Sequence, residues 1–208
     1  MVKVAAPMLS LEASGTIANS MTFSKWKGRP YVRTRVTPAN PRTPKQIGIR
    51  AVMAFLARQW ANLTEAEQSS WEEKAKQTNV SPFNAFAGTN AFEWRNGHYP
   101  SKKYPAARSS TPPSAPTVSV TGGQRQVTIS ITTASTKPSW GYSIHRSTQS
   151  GLTPSWTNAV ALVAADSNGN ATYLDTPLPA GTYYYVVKSF NSDGKDGAAS
   201  AYQSASVT

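Results

Sequence analysis

The chain has 208 residues, with 21 Lys and Arg against 10 Asp and Glu, a net charge of +11 and no cysteine. A length of this order suits two domains of about 100 residues, each able to bury its own core. The absence of cysteine excludes disulfides and thiolate zinc sites, leaving His98 and His145 as the imidazoles.

There is no run of about 18 apolar residues, and the leading MVKVAAPMLSLEASG lacks the long apolar core of a signal peptide. The expectation is a soluble protein made in a cytoplasm, with no membrane partner. Charge is spread unevenly. Residues 1–108 carry 16 basic side chains against 6 acids, whereas residues 109–208 carry 5 against 4. Within residues 1–50 there are 9 basic side chains and a single acid, Glu12. Such a run is either a solvated face or a surface that meets an acidic partner, protein or nucleic acid.

In chain order, residues 10–36 read as short strands. The segment MTFSKWKGRPYVRTRV, residues 21–36, alternates on both sides of the turn signal KGRP and predicts a hairpin with Phe23 on one arm and Tyr31 on the other. On the second arm, Tyr31, Arg33 and Arg35 share one face, while Val32, Thr34 and Val36 share the other. The candidate partner-binding residues are Trp26, Lys27, Arg29, Tyr31, Arg33, Arg35 and Arg42. The proline-rich TPANPRTPKQ that follows is extended.

Three helices come next. Thr43 reads as an N-cap, with Pro44 first in the helix and Gln46 completing a capping box. Ile49, Val52, Met53, Leu56 and Trp60 form the apolar stripe. A second capping box, Thr64 to Glu67, opens a helix that turns Trp71 and Ala75 inward. Ser81-Pro82 opens a third, with Phe83, Phe86, Asn90 and Trp94 on one face and Gly97 at its end. The aromatic residues predict a core shared by the three helices, with any excess forming an oligomer or docking interface.

The stretch YPAARSSTPPSAP, residues 104–116, contains four prolines and no apolar periodicity, as in a semi-extended linker. Beyond it the period becomes two. Strands are predicted over residues 118–121, 126–133, 141–147, 159–164, 171–175, 182–190 and 202–207, the spacing of a sandwich. The expected division is therefore a basic α+β domain over 1–103 (a hairpin plus about three helices), a flexible linker over 104–115 and an all-β immunoglobulin-like sandwich over 116–208.

Chemistry-bearing patterns are sparse. His98 and His145 read as ordinary surface histidines, and no nucleophile or carboxylate stands at a familiar spacing from either. The turn SDGKDG, with Asp193 and Asp196, lacks the distal Glu of a calcium loop and reads as a hairpin turn. No catalytic residue, metal or cofactor is expected, and the chain is not expected to be an enzyme.

Two resemblances add to this. GYSIHRSTQSG and DTPLPAGTYYYVVKSFNSDGKDGAAS are similar to segments of fibronectin type III domains. That likeness implies a corner made by Leu178 and Tyr183, with Tyr185 and Val187 on the same strand face as Tyr183. The second strand, VTISI, departs from the pattern by lacking a tryptophan, a space that Trp140 or Trp156 would fill. SGTIANSMTFSKWKGRPYVRTRVTPANPRTPKQ, then RAVMAFLARQWANLTEAEQSSWEEKA and SPFNAFAGTN, resemble a domain type encoded among the virion structural genes of tailed bacteriophages and their prophages.

The second resemblance implies a virion structural protein, most specifically a decoration or cement protein on a phage head. Its basic domain would grip the major capsid protein or other virion proteins, as a homo-oligomer on the particle. The sandwich would be displayed outward, with weak binding to cell-surface glycans. A tail or head-fibre anchoring component is the alternative. A cytoplasmic nucleic-acid-binding protein is the reading from another class, since Arg29, Arg33 and Arg35 with Trp26 and Tyr31 mix charge and stacking surface; protein surface is the preferred partner, because no known nucleic-acid motif accompanies them.

Overall fold

The computed structural model describes residues 2–3, 14–18, 20–133 and 135–208. The predicted strand residues 10–13 lie outside that set. The chain divides into two compact units, Met1–Pro41 and Arg42–Thr208.

The first unit is an antiparallel sheet of strands β1 (Val2–Lys3), β2 (Gly15–Ile17), β3 (Met21–Trp26) and β4 (Arg29–Thr34), in the order β1-β4-β3-β2. The predicted hairpin is β3–β4, closed by Lys27 and Gly28 at φ 49° and 78°. Positive φ at both central residues is the backbone of a type I′ turn, whose twist matches that of the two strands it joins.

The second unit begins with helices α1 (Pro44–Trp60), α2 (Glu65–Thr78) and α3 (Pro82–Arg95). Both predicted capping boxes are formed, Thr43 with Gln46 and Thr64 with Glu67, and the Ser81 side chain accepts from Asn84 N–H. Each satisfies backbone donors that a helix N-terminus leaves unpaired. Eight strands follow: β5 (Pro116–Gly123), β6 (Gln126–Thr133), β7 (Gly141–Ser147), β8 (Ala159–Ala164), β9 (Ala171–Asp175), β10 (Gly181–Phe190), β11 (Asp196–Ala199) and β12 (Gln203–Val207). They form a three-stranded sheet, β5-β6-β9, and a five-stranded sheet, β11-β10-β7-β8, with β12 also paired to β10. This is the expected immunoglobulin-like sandwich, and the chain as a whole combines α+β and all-β parts as predicted.

Strand alternation gives β7 and β10 two sets of side chains. Tyr142, Ile144, Tyr185 and Val187 point between the sheets, where they meet Val118, Val127, Ile129 and Ile131. Tyr183 donates from its hydroxyl to the Pro179 carbonyl at 3.0 Å, and Leu178 is buried beside it, forming the corner that the likeness implied. Among the described residues, no tryptophan enters this core.

The opposite face of the five-stranded sheet is covered by the helices. Phe55 of α1 packs on Trp140 and Phe190, at ring-centroid distances of 5.1 and 5.6 Å. Val52, Leu56, Trp71, Phe86 and Trp94 belong to the same buried cluster as Ala159, Leu162 and Phe190. Trp140 thus serves the helix–sheet layer, with its indole N–H donating to Gln59 Oε1 at 3.0 Å. The aromatic excess expected to serve an outside partner has its partner within the chain.

The division at 104–115 is corrected by this packing. That segment is held along the sandwich by Asp193, whose carboxylate accepts from Ser110 N–H at 2.9 Å and Ser110 hydroxyl at 2.8 Å. Asn191 donates to Ser110 Oγ and the Thr111 carbonyl, each at 2.9 Å, and Ser189 donates to the Ser114 carbonyl at 2.9 Å. Tyr104 packs on Trp71, with centroids 5.4 Å apart. Proline and serine favour extended backbone here, and side chains distant in sequence fix its course.

Candidate functional site

The candidate site in the first unit is one face of the β3–β4 hairpin. Cross-strand pairs Trp26–Arg29, Ser24–Tyr31 and Thr22–Arg33 alternate with Lys25–Pro30, Phe23–Val32 and Met21–Thr34. Because successive side chains point to opposite faces, Trp26, Arg29, Tyr31 and Arg33 share one surface, and Phe23, Met21 and Val32 share the other. Phe23 and Tyr31, predicted on opposite arms, therefore also lie on opposite faces.

Trp26 is 65% exposed, and the Lys27 ammonium sits 5.0 Å from the centre of its ring. A cation over an exposed indole keeps both its charge and the ring's second face open to a partner. Among the described residues of this unit there is no Asp or Glu. Arg35 lies beyond the end of β4, where its backbone N–H donates to Ser20 carbonyl at 2.7 Å. Arg42 belongs to the second unit. The seven predicted residues therefore divide: Trp26, Lys27, Arg29, Tyr31 and Arg33 cluster on the hairpin, Arg35 follows it and Arg42 is part of the other unit.

The second unit holds a polar cluster that sequence reasoning missed. His145, read as a surface residue, is buried between β7 and α3, its ring stacked on Trp94 at a centroid distance of 6.3 Å. Its Nε2 lies 2.9 Å from Ser143 Oγ, and its Nδ1 lies 2.8 Å from Asn158 Oδ1 and 3.1 Å from the Ser155 carbonyl. Asn158 Oδ1 also accepts from Ser155 N–H at 2.9 Å, while Nδ2 donates to the Thr153 carbonyl at 2.8 Å, which fixes the orientation of the amide. Nδ1 thus faces acceptors and carries the proton, leaving Nε2 to accept from the Ser143 hydroxyl. Tyr99, 2.8 Å from Ser143 Oγ, then donates to it.

Burial, reinforced by the charge of Lys188, holds the imidazole down to about 4, against the hydrogen bonds of Asn158 and Ser155 that favour its protonation. Burial likewise pushes the Tyr99 phenol far above its usual range. A serine, a histidine and an amide in line have the outline of a nucleophilic triad. Ser143 is 0% exposed, however, and its hydroxyl is roofed by Tyr99, so a substrate has no path to it in this conformation. What the cluster does chemically is satisfy polar groups beneath a helix layer. The signal in the sequence was His145 two residues after Ser143, which places both on one strand face.

The turn SDGKDG joins β10 to β11. Among the described residues no cluster of three or more His, Asp or Glu is arranged to hold a metal. Asp193 is occupied by the 104–115 segment. Although burial is the largest single influence and acts upward, hydrogen bonds from the Ser110 and Lys195 backbone and the Ser110 hydroxyl together bring its carboxyl below its ordinary value. Among the described residues, no helix is long and apolar enough to cross a membrane.

No protein-family model matches the chain, and no curated protein does. Solved structures similar to it include a Fn3-like protein from Clostridium thermocellum, 23% identical over 47% of this chain and 94% of that one, with a TM-score of 0.33. The FN1-FN3 domains of chicken CNTN1 are 25% identical over 48% of this chain and 34% of theirs, at 0.35. A beta-1,2-glucanase from Parabacteroides distasonis is 20% identical over 48% of this chain, at 0.38, but only 14% of that enzyme is covered. Likenesses at TM-scores this low carry no argument about family, activity or partner. The C-terminal part of the chain is an immunoglobulin-like β-sandwich, as its own two sheets and the core between them show.

Proposed function

We propose that the protein is a structural component of a phage particle, a head decoration protein whose hairpin face grips an acidic surface of the major capsid protein or another virion protein. The observation that supports this reading most is the hairpin surface itself. Arg29, Tyr31, Arg33 and an exposed Trp26 stand in alternate register on a two-stranded scaffold. Aromatic and Arg side chains, with few acids, are what protein–protein contacts enrich. The ordered sequence pattern from Ser14 to Ala75 supports the choice of particle.

Several copies on one particle would add small contacts into a stable attachment. On this reading the second unit is displayed as a whole, helices and sandwich together. A tail or head-fibre anchor would use the same face.

The test is co-sedimentation of the full chain with purified particles from the strain that encodes it. The expected result is saturable attachment, weakened about tenfold or more by Trp26→Ala with Arg29→Ala and Arg33→Ala. Absence of the protein from purified particles would overturn the proposal. Tight, steeply salt-dependent binding to single-stranded DNA through the same three residues would move the assignment to nucleic acid.

A further inference from the structure

Helices α1 and α3 leave an open trough along their outer seam, wholly within the second unit. The two run antiparallel. Trp60, at the end of α1, packs on Phe83 and Phe86 near the start of α3, with ring centroids 5.8 and 5.4 Å apart. At the other end of the seam, Lys45 and Ile49 of α1 share a hollow of about 490 Å³ with Ala91 and Arg95 of α3. Trp156, from the connection between β7 and β8, also lines it. Ile49, Ala91 and Trp156 are each partly buried against the core beneath, so their outer surfaces give the hollow apolar walls.

Helical spacing carries the apolar surface beyond the hollow. Met53 follows Ile49 by four residues and is 38% exposed. On α3, Gly88 precedes Ala91 by three residues and Phe92 by four, and Phe92 precedes Arg95 by three, which puts all four on one side of the helix. Phe83, Phe86 and Trp94 of α3 each meet another ring of the second unit, whereas Phe92 is 61% exposed. Gly88 stands between these groups with open space over it: a Cβ there would meet nothing within 4 Å. Glycine inside a helix costs stability relative to alanine. At Gly48 of α1 that cost is matched by close approach of the sandwich backbone, where a Cβ would sit 1.9 Å from the Trp156 carbonyl oxygen. At Gly88 the chain supplies no such neighbour.

The charge at the hollow is of one sign. Lys45 and Arg95 are exposed, and among the described residues neither forms an ion pair. Helix α1 has no acidic residue. The one carboxylate of α3, Glu93, accepts from Arg108 Nη2 at 2.6 Å.

We infer that the α1–α3 trough receives an amphipathic helix of a partner polypeptide, which seats its apolar stripe over Met53, Gly88 and Phe92 and its acidic side chains against Lys45 and Arg95. The seam between two helices is the natural bed for a third, since ridges of side chains on the incoming helix enter the furrow. Gly88 lets the two backbones approach, Phe92 and Met53 supply apolar area, and the cations select for charge. The lengths agree. From Phe83 to Arg95 the seam runs about 18 Å, which a partner helix of about 12 residues spans. The inference draws on the second unit alone and does not depend on the role of the hairpin.

The experiment uses the full chain and a fluorescein-labelled peptide of about 14 residues, some four helical turns, with Leu recurring every third or fourth position and Glu on the flanks. Binding is followed by fluorescence anisotropy. The expected result is saturable binding that Phe92→Ala with Arg95→Ala weakens about tenfold or more. Gly88→Gln, which keeps helix propensity and fills the open space, should weaken it as well. Circular dichroism should be unchanged in both variants, because Gly88, Phe92 and Arg95 are all exposed. A peptide of the same composition, rearranged so that its Leu residues no longer share a face, should not bind. The proposal is overturned by absence of binding, by equal binding to the variants, or by equal binding of the rearranged peptide. It is likewise overturned if the chain instead self-associates in sedimentation and Phe92→Ala abolishes this, the trough then serving a second copy. Tighter attachment to phosphatidylglycerol vesicles than to the peptide, lost in the same variants, would overturn it in favour of a lipid surface.

Discussion

Trp94 of α3 lies flat against His145 of β7, with ring centroids 6.3 Å apart and planes inclined by 29°. The contact joins a helix to a sheet face that antiparallel sandwiches commonly leave to water, and it encloses a neutral imidazole between a tryptophan and a run of hydroxyls.

Protonating His145 must therefore oppose folding. The folded imidazole titrates near 4 and the unfolded one near its ordinary value of 6.5. Between those values the unfolded chain binds more protons, so stability falls as pH drops from about 6.5 toward 4. The full effect is roughly 3 kcal/mol. Urea denaturation from pH 7.5 to 4.5 should show this slope, and a His145→Gln variant, less stable at pH 7.5, should lose most of it. An identical slope in both proteins would assign the effect to other groups.

At Gly48 of α1 the helix backbone lies close against the sandwich backbone at Trp156 and Ala159. A Cβ there would sit 1.9 Å from the Trp156 carbonyl oxygen, whereas at Gly88 of α3 it would meet nothing within 4 Å. Gly48→Ala should cost about 1–3 kcal/mol or more by forcing the layers apart. Gly88→Ala should instead stabilise by about 0.5–1 kcal/mol, through a less flexible unfolded chain and better helix propensity. Opposite signs in chemical denaturation are the expected outcome.

Removing the helices should damage the sandwich. A fragment of residues 116–208 uncovers Trp140, Phe190, Val186 and His145, all buried in the whole chain. It should bind a hydrophobic dye and associate, whereas residues 42–208 should remain dispersed and unfold in one transition. A dispersed, cooperative 116–208 fragment would contradict the shared core.

The 104–115 segment should resist proteolysis until Asp193 is changed. Asp193→Ala removes acceptors for the Ser110 N–H and hydroxyl and for the Lys195 N–H. The expected loss is about 1–3 kcal/mol, with new cleavage within 104–115 under limited digestion. Rapid cleavage there in the unaltered protein would restore a free linker.

Local rules were readable and remote ones were not. Thr43–Gln46 and Thr64–Glu67 announce their helices within four residues, and the period-two runs place six of the strands at or within one residue of their ends. Tyr183 could be placed at a corner because its partner, Pro179, is four residues away. β11 escaped because its four residues sit behind a turn rich in Gly and Asp and pair in a shifted register. Met53 was placed on the buried stripe but is 38% exposed, while Phe55, off that stripe, faces Trp140 about 85 positions along the chain. The surface groups followed the same division: alternation exposed the hairpin face, but nothing local brings Lys45 and Arg95 to one hollow.

The fit of Phe55 and Trp94 to the sheet also limits how this chain can be recombined. A beta domain from elsewhere, grafted at the proline-rich stretch, would present a water-adapted exterior to an oily helical surface. Neither piece would then be sealed. The segment that can be exchanged intact starts near Arg42, so lineages that trade such modules would have to trade the helices with them.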